Sequence, residues 1–78
     1  MKLQEERKRA GMSQSELANL SGVKLKTIQD YELGRSSVDG ARIDTLISLS
    51  DALGVPFYDI IEDAERVNKI KANIKREG

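Results

Sequence analysis

The chain has 78 residues, enough for one small domain with a single core and too few to add an elaborate active site. It contains neither Cys nor His, which removes disulfides, thiolate metal sites and the commonest general base; this argues against an enzyme, and no metal or cofactor is expected. Thirteen Lys/Arg balance thirteen Asp/Glu. The distribution is uneven: residues 1–38 carry seven bases against five acids, residues 39–63 one against six, and residues 64–78 five against two. Both ends are basic and the middle is acidic.

In chain order, the opening "MKLQEERKRAG" has no apolar run resembling a signal peptide or membrane span, so a soluble cytoplasmic protein is expected. Residues 2–10 read as a first helix, with Leu3 and Ala10 on one face and Gly11 as a left-handed cap. Ser13-Gln14-Ser15-Glu16 has the form of a capping box, which starts a second helix at Gln14. That helix should carry Leu17, Ala18 and Leu20 inward and stop near Ser21-Gly22, where Gly permits the positive φ of a sharp reversal. A third helix follows over about Lys24–Leu33, then the Gly- and Ser-rich loop "GRSSVDGA". "RIDTLISLSDAL" predicts a fourth helix with Ile43, Leu46, Ile47, Leu49 and Leu53 in a broad apolar stripe, closed by Gly54 and Pro56. The fifth begins at Pro56 and uses Phe57, Ile60 and Ile61. No window alternates as a strand would, so the expected fold is an all-α, compact five-helix bundle with a C-terminal helical extension.

The third helix is the least well covered. At about 100° per residue, Leu25, Lys26, Gln29, Asp30 and Leu33 fall within roughly 140° of one another, while Ile28 and Tyr31 point away. An ordinary amphipathic surface helix would also show this pattern. A helix that follows its predecessor after a tight Gly-containing turn, however, is the arrangement of a helix-turn-helix, whose second helix protrudes to enter a groove.

The run Gln14, Glu16-Leu17-Ala18, Gly22-Val23, Thr27-Ile28, Glu32, Gly34, then Leu46, Leu49 and Ala52-Leu53-Gly54-Val55 resembles the lambda-repressor and Cro-like (XRE) helix-turn-helix family over about residues 3–62. The resemblance implies a five-helix domain that binds double-stranded operator DNA as a homodimer in transcriptional control. It implies that Gln14 bonds a phosphate from the start of the second helix. Lys24, Leu25, Lys26, Gln29 and Asp30 take the groove-facing positions, Arg35 with Ser36 meets the backbone from the following loop, and Arg7 with Glu32 forms a structural ion pair. The chain departs from the family pattern at Glu6, at Ser21, at Leu33 before Gly34, and in a longer loop through Val38-Asp39-Gly40.

Each role has a plainer rival. Lys24, Lys26 and Arg35 could be solvated charges, Leu25 could cover the core edge instead of a thymine methyl, and Gln14 could be an exposed first-turn residue. Asp30 could pair with Lys26 four residues earlier or accept from cytosine N4. The expected division is a DNA-binding domain over 1–63 and a basic amphipathic helix or tail over 64–78, where Ala64, Val67, Ile70 and Ile74 recur at helical spacing and Asp63 and Lys71 interrupt the stripe. That segment is a candidate for dimerisation, for capping the core or for contact with another protein, its plainer rival being a frayed basic tail. The competing function is a protein-interaction module, antitoxin-like or regulator-binding, on the same fold, with Leu25, Leu33 or the tail as its contact surface.

Overall fold

A computed structural model describes the backbone of residues 1–77 and the side chains of residues 1–74. Five α-helices are present and no strand occurs among the described residues: α1 Lys2–Arg9, α2 Gln14–Ser21, α3 Leu25–Glu32, α4 Ile43–Leu53 and α5 Ala64–Glu77. Short 3-10 turns at Val38–Gly40 and Phe57–Ile60 flank α4. None of these helices is long and apolar enough to cross a membrane.

The helix ends follow the local chemistry. Ser13 Oγ accepts from Glu16 N at 3.0 Å and Glu16 Oε1 accepts from Ser13 N at 2.9 Å, so the capping box that opens α2 is complete. Those two bonds hold the Glu16 carboxyl below its ordinary range. At the other end, Gly22 takes φ +74°, and its N–H donates to Ala18 O. This left-handed residue turns the chain into α3 within three positions, a conformation that costs little only for Gly.

One core holds the bundle. Leu3, Leu17, Ile28, Leu49, Ile60 and Ile61 are wholly buried, and Leu46, Leu53, Val38, Tyr31 and Val67 complete the cluster. The apolar stripes are wider than the faces that meet. Leu20, expected inside, is 64% exposed: α2 turns the side of Leu17 and Ala18 to the core, and Leu20 lies round the helix from Leu17 in the opposite sense to Ala18. Ile43 and Ile47 are likewise largely exposed. The buried face of α4 instead runs Leu46, Leu49, Ser50 and Leu53, and Ser50 tolerates burial because its Oγ donates to Ile47 O at 3.0 Å. Ala10, read on the inner face of the first helix, caps it and is exposed.

The helix expected from Pro56 is a single 3-10 turn, and the fifth α-helix is the C-terminal segment. Ile61 is already extended, which delivers two adjacent isoleucines to the core and ends the turn. A new helix then starts because Asp63 Oδ1 accepts from Glu65 N at 3.0 Å and Arg66 N at 3.3 Å, as an N-cap does. Lys71 sits over the Tyr58 ring, 5.4 Å from its centroid. The two residues that break the apolar stripe are thus a cap and a ring contact.

The long loop after α3 also has a place in this joint. Val38 is buried, and the two Asp39 carboxylate oxygens accept from Glu62 N at 2.7 Å and Asp63 N at 3.0 Å. Arg66 donates back to the Asp39 carbonyl. Replacing Asp39 by Ala should cost about 1–2 kcal/mol, the usual loss when a capping carboxylate is removed. Amide hydrogen exchange should accelerate at Glu62, Asp63 and the first turn of α5; unchanged exchange there would show that the loop does not hold the helix.

Candidate nucleic-acid interface

The inner side of α3 is pinned by Ile28, which is wholly buried, and by Tyr31, which is 8% exposed. Burial raises the Tyr31 phenol above its ordinary range, so it stays neutral. Turned outward are Lys26, Leu25 at 37% exposure and Leu33 at 66%, with Gln29 and Asp30 half-buried between them. Lys24 is the N-cap of α3 and is exposed; it makes no side-chain capping bond. The expected outer face is present, Leu33 included, whose backbone is still helical at φ −84° and ψ −6°.

The far end of α3 is fixed by an ion pair. Arg7 Nε donates to Glu32 Oε2 at 2.8 Å and Arg7 Nη2 to Glu32 Oε1 at 2.9 Å, while Arg7 Nη1 donates to Met12 O at 2.8 Å. The side chains are 11% and 3% exposed, so this pair is largely removed from water and both charges depend on it. Burial alone would push the Glu32 carboxyl up, but the hydrogen bonds from Arg7 and Gln14, with the Arg7 charge, outweigh it and leave the group below its ordinary range. Arg7 is correspondingly raised, first by its bond to Glu32.

Gln14 belongs to this network. Its Nε2 donates to Glu32 Oε1 at 3.1 Å, which ties the start of α2 to the end of α3. An amide nitrogen has two hydrogens, so one remains for a second acceptor. No local pattern signals this tie, since Gln14 and Glu32 are 18 residues apart and become neighbours only when the corner folds.

After Glu32 the chain turns out through a Schellman motif. Gly34 has φ +77°, Gly34 N donates to Tyr31 O at 3.2 Å, and Arg35 N donates to Asp30 O at 2.8 Å. Arg35 and Ser36 are both exposed, and Ser36 N also donates to Asp30 O, at 3.3 Å. Lys26 Nζ lies 3.6 Å from Asp30 Oδ2, and Arg35 Nη1 3.9 Å from Asp30 Oδ1. Lys26, Asp30 and Arg35 therefore form one group spanning the helix and its loop, whereas Lys24 stands apart at the opposite end of α3. Among the described residues no cluster of His, Cys, Asp and Glu could hold a metal ion.

A helix-turn-helix family model matches residues 3–60, which takes in α1 to α4 and the 3-10 turn after them. No curated protein and no solved structure matches the chain. With the match covering most of the sequence, and with the capping box, the Gly22 corner and the outward α3 all in place, the chain belongs to the lambda-repressor-like (XRE) helix-turn-helix family, a membership that implies DNA binding.

Proposed function

We propose that the protein is a sequence-specific, DNA-binding transcriptional regulator acting in the cytoplasm, with α3 and its flanking residues (Lys24–Leu33) in the major groove. The observation that carries this reading is the outward face of α3: cations and an amide stand on a helix whose inner side is rigidly buried, as a helix entering a groove requires. Lys24 and Gln14 serve as phosphate contacts, joined by Arg35 and Ser36 from the loop. Leu25, Lys26 and Gln29 meet base edges. Arg7 and Glu32 touch no DNA and hold the two helices at the angle the groove demands.

A homodimer fits this reading, since one recognition helix spans few base pairs and paired half-sites lie about 34–36 Å apart. The proposed division is a DNA-binding unit over 1–63 and a dimer contact within 64–78, where Ile74 is exposed while Val67, earlier in α5, packs into the core; the side chains of 75–78 lie outside the described residues. A protein-interaction role on the same scaffold is favoured by one observation: Ile43 and Ile47 stand four apart on α4, largely exposed, and Ile74 is 48% exposed on α5.

Two charge removals on α3 separate positioning from reading. Lys24→Ala should weaken binding to all duplexes alike and make the dependence of log K on log salt shallower by about one, with base preference retained. Lys26→Ala should cost about 1–3 kcal/mol on a preferred duplex and relax one base position, with a smaller loss on random duplex. Fluorescence anisotropy over a salt series measures both. Equal losses on preferred and random duplex in both variants would mean that α3 does not read bases in this orientation.

A further inference from the structure

Asp30 is an unexpected residue for a surface that must approach phosphates. Its side chain is 21% exposed, beneath Lys26 and Arg35, which are 78% and 68% exposed. Among the described residues, Oδ1 is buried and has no hydrogen-bond donor, its nearest cation being Arg35 Nη1 at 3.9 Å. The Schellman motif explains the placement. It brings the side chains at the third-last helical position and two beyond the cap together, usually as an apolar contact. Here those positions are Asp30 and Arg35. The Asp30 carbonyl fixes the backbone of Arg35 and Ser36, and its carboxylate underlies the Arg35 guanidinium.

We infer that Asp30 is a positioning residue for specificity: it holds Lys26 and Arg35 in register over the recognition helix and opposes their use on arbitrary phosphates. This inference rests on the DNA-binding reading above. Two long cations free to rotate would find phosphate on any duplex. Tethered to one carboxylate, they lose that freedom, and a phosphate that draws either away must break its ion pair and approach a negative charge. A duplex on which Lys26 and Arg35 find partners without leaving Asp30 is spared both costs. Discrimination then comes from a penalty on wrong sites as well as from contacts with the right one.

The test compares wild type with Asp30→Asn on a duplex selected by the wild type and on random duplex, over a salt series. Random-duplex affinity should rise roughly 3- to 10-fold at low salt, as two exposed pairs are released. The salt slope should steepen by about one. Affinity for the selected duplex should rise less or fall, so the specificity ratio drops while the preferred bases stay the same. In an Arg35→Ala background the same change should have a smaller effect, since one of its two tethers is already gone. Asp30→Ser gives the same readout should Asn disturb packing. A changed base preference with unaltered random-duplex affinity would overturn the inference and make Asp30 a base reader. Unaltered affinities on both duplexes would leave it an inert surface pair. A wild type that binds no duplex would instead remove the functional reading itself.

Discussion

Glu32→Ala should destabilise the domain by about 3–5 kcal/mol, the loss expected when one partner of a buried ion pair is removed. A chain of this size has a total stability of roughly 4–12 kcal/mol, so the loss should take a large share of it. The cost arises from Arg7, whose guanidinium would stay largely buried with only Met12 O to accept from it, and from Gln14, which loses its acceptor. Replacing both members by apolar residues, as in Arg7→Met with Glu32→Leu, should recover much of that stability, because no unpaired charge remains. The pair also sets an acid dependence. Because the folded-state value of Glu32 lies below its ordinary 4.5, its contribution is complete above that pH and is lost as the pH falls through the lower folded value. Glu16 is lowered in the same direction, so the Glu32 share is read as the difference between wild type and Glu32→Gln, whose acid dependence should be flatter. Urea denaturation followed by circular dichroism at several pH values measures all of this. A Glu32→Ala loss below about 1 kcal/mol would place the pair among ordinary surface contacts.

Ile28→Ala should cost about 2–5 kcal/mol, since a wholly buried Ile is cut back to a methyl and the surrounding helices close the gap only in part. The effect should extend beyond stability. Ile28 is the inner anchor of α3, so whatever DNA binding survives in the folded fraction should lose specificity before it loses phosphate affinity. Leu33→Ala on the outer end of the same helix, where the side chain is 66% exposed, should change stability by no more than about 0.5 kcal/mol. Similar losses for the two would show that α3 is not oriented with Ile28 inward.

The features set by short-range chemistry were legible in the sequence. Ser13 and Glu16 announce the start of α2, Gly22 its end, and the period of Ile28 and Tyr31 the buried side of α3; each depends on residues within a turn or two. Burial is not legible where it depends on which element lies opposite. Leu20, Ile43 and Ile47 are as apolar as their buried neighbours, and only the arrangement of α2 and α4 decides that Ser50 is inside while they are not. The 3-10 turn at Phe57–Ile60 is hidden for a related reason: Pro56 followed by apolar residues is a sound helix start, and in the apolar stripe Asp63 looks like an interruption although it is the cap that restarts the chain. At the candidate interface, the wheel grouped Leu25, Lys26, Gln29 and Asp30 correctly. It could not show that Asp30 also underlies Arg35, or that Gln14 shares Glu32 with Arg7, since both relations cross a turn.

The most direct test of base reading by α3 is selection of bound duplexes from a random pool by the wild-type protein, followed by sequencing, with Lys26→Ala run in parallel. A short motif, repeated with two-fold symmetry about one helical turn apart, should be enriched, and one position of each half-site should relax in the Lys26→Ala selection. A pool that stays random under wild-type selection, or a motif identical in the two selections, would mean that α3 and Lys26 do not read bases.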